Sequence, residues 1–333
     1  MFQQSKSLCI ASLHSGGVIT NYFCSSACRH CLYRCSPKWP KEYMSPETTR
    51  KNLETVHRLG CHAVHIGGGE PLLRPEALGS VLEMARETGV AVEYVETNSS
   101  WFRSEAEACA ILEKLRASGL RTLLVSISPF HNEHIPFWKV KGVLEACQRT
   151  GIVVFPWVSG FIPDLETLDD RQTHALEEYQ QRFGAEYLQA LPQRYWIAPG
   201  GRALETFGAL AVKKPLEHFL SANVGGCAEL AEVSHFHLDL HGNYVPGLCA
   251  GLAIQREDLG KPLPPEKYPL ITRLYAEGLR ALAAYAVEEY GFRASGSGYA
   301  SKCDVCYAIR RCLVVERGIT SKELQPRGHY LYG

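Results

Sequence analysis

Three cysteines stand in Cys24-Ser-Ser-Ala-Cys28-Arg-His-Cys31, a Cys-x3-Cys-x2-Cys run. Three thiolates this close can wrap one cubane iron–sulfur cluster and leave its fourth iron without a protein ligand. An iron open in this way is a reaction site. The competing chemistry is tetrahedral zinc, for which Cys35 or His30 could supply a fourth ligand, although zinc ligands are usually paired as Cys-x2–4-Cys. If Cys35 closed the cluster it would block the open iron, so it reads as a nearby free thiol.

Short polar residues recur further along. In His65-Ile-Gly67-Gly68-Gly69-Glu70-Pro71, consecutive glycines let the backbone approach a ligand closely and Glu70 can accept from a cationic amine. A plain tight loop uses the same residues. Thr97, Asn98, Ser126 and Ser128 offer hydrogen-bonding side chains and are equally able to cap turns. His131-Asn132-Glu133-His134 could face a substrate and accept a proton, or form a solvated loop; no role is read into His65. A second set of cysteines comprises Cys227, Cys249 and the run Cys303-x2-Cys306-x5-Cys312. Two cysteine pairs satisfy zinc as well as iron, and five cysteines cannot complete two four-thiolate clusters. Cys9, Cys61, Cys109 and Cys147 have no partners at ligand spacing and read as small buried hydrophobes.

The elements that must position these residues follow from periodicity. Short apolar runs at 18–23, 63–66, 90–96, 122–127 and 152–158 are each followed by helical spacing, at 46–59, 75–87, 104–117, 140–149 and 169–183. Ser45 and Pro46 mark one helix start, and Gly60, Gly89, Gly119 and Gly151 mark helix ends. Near-continuous hydrophobic strands suggest burial on both faces, and a sixth strand is expected within 186–197. The expected fold is α/β, a partial (β/α)6 barrel over residues 1–200, with a smaller Cys-rich region over 201–333 containing two short strands around Gly242 and a helix at about 270–289. Candidate residues then gather at the carboxyl ends of the strands, where such folds place their chemistry.

Composition narrows the partners. Among 333 residues, 35 Lys plus Arg balance 35 Asp plus Glu, so nothing marks a nucleic-acid or anionic-membrane surface. No apolar run approaches the ~20 residues of a membrane span, and residues 1–13 lack the pattern of a secretion signal. Thirteen Cys fall below the ~8–10% of a disulfide scaffold. A cytoplasmic protein is expected, without nucleic-acid or membrane partners.

The Cys24, Cys28 and Cys31 spacing, placed after the first strand, resembles the radical S-adenosylmethionine (SAM) superfamily. The resemblance implies a [4Fe–4S] cluster on those three cysteines, with SAM chelating the open iron. It implies reductive cleavage of SAM to a 5′-deoxyadenosyl radical that abstracts hydrogen from substrate, with an external electron donor such as flavodoxin or ferredoxin. Tyr33 would lie near the adenine. Gly68, Gly69 and Glu70 resemble the GGEP motif that binds the SAM amino group, and Thr97, Asn98, Ser126 and Ser128 would contact the ribose and carboxylate. The distal cysteines, preceded by Pro199-Gly-Gly-Arg202-Ala203, resemble a SPASM or twitch extension. Glu316 stands where the full SPASM pattern continues with another Cys, so the resemblance implies one auxiliary iron–sulfur cluster on Cys227, Cys249, Cys303 and Cys306, with Cys312 competing for one place. The implied activity is net oxidation or bond formation on a small molecule or peptide. Maturation of a ribosomal peptide and a non-catalytic iron–sulfur or zinc protein are the alternatives.

Overall fold

The computed structural model describes residues 7–332, and the chain divides into two compact units. One comprises Gly16–His30 and Cys35–Ile197. It contains β1 (Gly16–Ile19), β2 (Ala63–Gly67), β3 (Ala91–Thr97), β4 (Thr122–Ser126) and β5 (Val153–Trp157). Neighbouring strands pair in parallel in sequence order. Ile19 faces Gly67, Thr97 faces Val125 and Ser126 faces Trp157, so the carboxyl ends of all five strands finish along one edge.

Between the strands run helices Pro46–Arg58, Pro75–Glu87, Glu105–Ser118 and Phe137–Thr150, packed side by side in that order. Local signals set their ends. Ser45 accepts from the Thr48 amide and Ser104 from the Glu107 amide, satisfying donors that a helix start leaves orphaned. Leu53 and Val56 from the first helix, with Val64, Ile66, Val95, Leu123 and Val125 from the strands, are buried in the core.

Three expectations for this unit are corrected. Residues 186–197 form no strand but a helix, Tyr187–Arg194, in which Tyr187, Leu188 and Leu191 recur at helical spacing on a buried face; the sheet of this unit has five strands rather than six. The strands are not all buried on both faces: β5 pairs only with β4, and Val153 and Phe155 are 62% and 47% exposed. The helix expected over 169–183 begins at Leu176, because Asp169 is engaged in an Asx turn with the Arg171 amide and Gln172 and Glu178 reaches back to the Ala175 amide.

The other unit gathers the described residues before Gly16, Cys31–Arg34, and those from Ala198 onward. Its antiparallel strands β6 (Phe236–Asp239), β7 (Asn243–Val245) and β8 (Ile254–Gln255) are turned by Asp239, whose carboxylate accepts from the His241 and Asn243 amides. In place of one helix at 270–289 there are two, Pro269–Glu277 and Leu279–Tyr290, broken at Gly278 with φ 83°. Helix Lys302–Arg311 follows, then a wider turn at Cys312–Glu316. Among the described residues no helix is long and apolar enough to cross a membrane.

Candidate functional site

Beyond Ile19 the chain leaves the sheet and runs into the loop bearing Cys24 and Cys28, both buried. This loop is bonded to the glycine loop that follows β2. The Gly69 and Glu70 amides donate to the Asn21 and Phe23 carbonyls at 2.6 and 3.2 Å. The Asn21 side-chain amide donates to the Phe23 carbonyl at 2.8 Å and the Glu70 carbonyl at 3.3 Å. The glycines serve this contact: a Cβ on Gly69 would lie 2.0 Å from the Phe23 carbonyl oxygen, and one on Gly68 2.6 Å from the Asn21 Oδ1. Asn21 was not anticipated, because it sits inside the apolar run 18–23 and passed as strand.

The Glu70 carboxylate joins this pair of loops to the end of β3. It is fully buried and accepts from the Leu72 amide at 3.1 Å, the Thr97 hydroxyl at 3.0 Å and the Asn98 amide at 2.6 Å. Burial pushes this carboxyl up to about 7, against the pull of those donors. Thr97 Oγ1 in turn accepts from Trp101 Nε1 at 2.9 Å. The Asn98 side-chain amide continues to the sulfur of Cys24 at 3.3 Å, which also takes the Ser26 amide at 3.4 Å. Donors aimed at sulfur suit a thiolate or a cluster-bound sulfur and tune a cluster's potential. The Cys35 thiol donates instead to the Gly68 carbonyl at 3.6 Å.

Of the two residues between Cys28 and Cys31, His30 was named only as a spare zinc ligand and Arg29 was not singled out. The His30 ring lies 4.6 Å from Phe130, 5.1 Å from His131 and 6.3 Å from both Trp157 and Tyr195, an aromatic enclosure built from the segment after β4, the end of β5 and the end of helix Tyr187–Arg194. Arg29 forms ion pairs with Glu133 at 2.8 Å and Glu177 at 3.0 Å, fastening the cysteine loop to later helices. Position inside the cysteine run was the available signal for both. Ser126 is buried at the end of β4. Ser128 contacts His131 Nδ1 at 2.7 Å, and burial, with the neighbouring His134 charge, pushes His131 down to about 4, keeping it a neutral acceptor near pH 7.

Cys31 to Arg34 belong to the second unit. The Cys31 carbonyl accepts from the Arg202 amide at 3.0 Å, and Arg34 pairs with Glu205 at 2.9 Å. The Gly-Gly-Arg202 stretch thus receives the last residues of the cysteine loop. The Tyr33 hydroxyl is bonded to His237 Nδ1 at 2.7 Å, with its ring edge-on to that histidine.

In the same unit four distal cysteines share one electrostatic neighbourhood. Charge on Cys249 acts on Cys227, and charge on Cys303 and Cys306 acts on Cys249. Gly247, at φ 54°, allows the Cys249 turn to approach the Cys227 turn; a Cβ there would meet the Glu229 carbonyl oxygen at 2.1 Å. Glu229, two residues after Cys227, ion-pairs with Lys302 beside Cys303. Cys312 has other company: its thiol contacts Glu316 at 3.5 Å, with Arg311 and Arg317 nearby. Two turns and one helix thus bring these four cysteines into one neighbourhood.

Residues 18–178 match the model of the radical SAM superfamily. Over 126 residues the chain is 31% identical to the AdoMet-dependent heme synthase of Methanosarcina barkeri (strain Fusaro / DSM 804), across 37% of this chain and 33% of that protein. The match therefore spans about a third of that relative's length. Among solved structures, native anSMEcpe with bound AdoMet is similar at 12% identity and TM-score 0.44, covering 91% of this chain and 97% of that one. BtrN in complex with AdoMet and 2-DOIA is similar at 13% identity and TM-score 0.40, covering 81% and 89%. Scores at this level carry no assignment of their own.

Proposed function

From the radical SAM domain at residues 18–178, we propose that this chain is a radical SAM enzyme whose [4Fe–4S] cluster is held by Cys24, Cys28 and Cys31. Such a cluster, reduced by an external donor of the flavodoxin or ferredoxin kind, supplies the electron that splits SAM into methionine and a hydrogen-abstracting 5′-deoxyadenosyl radical.

The protein's part is placement. Glu70, buried and spent on the Leu72, Thr97 and Asn98 donors, holds the glycine loop in the shape that would receive the cationic amine of SAM. Asn98 polarises the Cys24 sulfur, and Ser126 and Ser128 offer hydroxyls at the same strand edge. Tyr33, its hydroxyl bonded to His237, is proposed to pack near the adenine, and His30 with its aromatic neighbours offers a second surface for it. His131, held neutral by burial and bonded to Ser128, offers a polar group to a substrate at the same strand edge. Cys227, Cys249, Cys303 and Cys306 hold one auxiliary cluster in a twitch-like region, able to accept the second electron of a net oxidation. The substrate is a small molecule or peptide.

The observation that carries this reading is the unbroken hydrogen-bonded path from the glycine loop through Glu70 and Asn98 to the Cys24 sulfur. Anoxic reconstitution, a strong reductant and assay for 5′-deoxyadenosine test it. The reading expects release that Cys24→Ala abolishes. Iron-loaded protein that releases no more than this control counts against it.

A further inference from the structure

The second unit buries a full positive charge beside its cysteines. Arg310, on helix Lys302–Arg311, is 5% exposed. Its Nη1 donates to the Ala250 carbonyl at 2.9 Å and to the Tyr330 hydroxyl at 3.0 Å. That hydroxyl in turn donates to the Gly251 carbonyl at 2.7 Å. These acceptors are neutral, and Nε has no hydrogen-bond partner. Among the described residues no carboxylate forms an ion pair with Arg310; beyond the neutral Tyr330 hydroxyl, the groups whose negative charge would favour its protonated form are Cys306 and Cys249.

A guanidinium keeps its proton at any working pH, and burying one without an anion is costly. Placement identifies the missing anion. Cys303, Cys306 and Arg310 recur at i, i+3 and i+7 on the helix, a spacing that shares one face. Ala250, whose carbonyl holds the guanidinium, directly follows Cys249.

We propose that Arg310 is the built-in counter-charge of an iron–sulfur cluster held by Cys227, Cys249, Cys303 and Cys306, and that it raises the reduction potential of that cluster. The inference rests on the reading of these cysteines as cluster ligands. Four thiolates around an oxidised [4Fe–4S] core carry a net double negative charge, and one electron from the reductant makes it triple. A fixed positive charge stabilises the more negative state more strongly. Arg310 therefore makes the auxiliary cluster a better acceptor for an electron leaving a substrate radical.

The test uses full-length protein with Cys24→Ala, Cys28→Ala and Cys31→Ala, so that only the distal set can hold iron, reconstituted anoxically and titrated with dithionite under EPR. With Arg310→Gln, the reduced-to-oxidised ratio at fixed ambient potential falls at least tenfold, a shift of about 59 mV to more negative potential for a one-electron couple. Arg310→Lys keeps most of the native value. An unchanged potential in Arg310→Gln at full iron content overturns the proposal. Should Arg310→Gln lose its iron, Arg310→Lys decides: retained iron and potential support a charge role, and loss in both variants overturns it. Iron missing while Arg310 is intact removes the cluster reading itself, and the Arg310 role with it.

Discussion

The Asn98 side-chain amide donates to the Cys24 sulfur at 3.3 Å, while the backbone amide of the same residue donates to Glu70 at 2.6 Å. One residue at the end of β3 thus touches both the cysteine loop and the carboxylate that anchors the glycine loop.

Asn98→Ala removes the sulfur contact and leaves the backbone bond intact. The Ser26 amide remains on Cys24, so iron is retained. Hydrogen bonds to a charged acceptor contribute about 1.5–3 kcal/mol, more to the reduced cluster than to the oxidised one. The midpoint potential of the first cluster falls, read by EPR titration, and SAM cleavage under a weak reductant slows. An unchanged potential would show that the contact has no electronic consequence.

Gly69→Ala separates the two loops. Its Cβ meets the Phe23 carbonyl oxygen, a backbone atom that cannot swing aside. Overpacking of this kind costs about 1–3 kcal/mol. Gly160→Ala is the matched control, with nothing within 4 Å of the added carbon. Thermal melts and iron counts are expected to show a lower Tm and lost iron for the first variant and native values for the second.

The distal ligand set is tested by two serines. Cys249→Ser removes a thiol within electrostatic reach of Cys303 and Cys306, whereas Cys312→Ser removes one that faces Glu316. Loss of the auxiliary iron is expected in the first variant and full iron in the second. The reverse pattern would reassign the fourth ligand to Cys312.

Glu323 gives the fold a pH dependence. Its buried carboxylate accepts from the Leu270 and Ile271 amides at a helix start, yet burial pushes the carboxyl up to about 7, from about 4.3 in an unfolded chain. The folded state therefore holds this proton more tightly. The resulting stabilisation is full below about pH 4 and is lost as pH rises to 7. Glu323→Gln, which cannot ionise, is expected to gain on the native protein in chemical-denaturation midpoint between pH 4.5 and 7.5. A difference that stays flat across that range would contradict this.

Much of the parallel layer was legible because its signals are local. Ser45, Gly119 and Gly151 mark helix ends through backbone chemistry that any sequence window contains. The sixth strand failed because Tyr187, Leu188 and Leu191 make a short apolar run whose period is ambiguous until its packing is known. Burial of β5 was overestimated because hydrophobic composition does not reveal which strand lies at an edge. At the site, Cys24, Cys28, Glu70 and Asn98 were visible by type and spacing. Their linkage was not, since the bonds joining them span 28 to 74 positions. Arg310 was hidden for a related reason: its significance lies in carboxylates that are absent from its surroundings, which only the folded arrangement reveals.

An iron open to SAM shows itself in EPR of the reduced chain carrying Cys227→Ala, Cys249→Ala, Cys303→Ala and Cys306→Ala, recorded with and without SAM. About four irons per chain are expected, with a change in the g-values of the reduced cluster when SAM is added. A full iron load whose spectrum is identical in the presence and absence of SAM would contradict it.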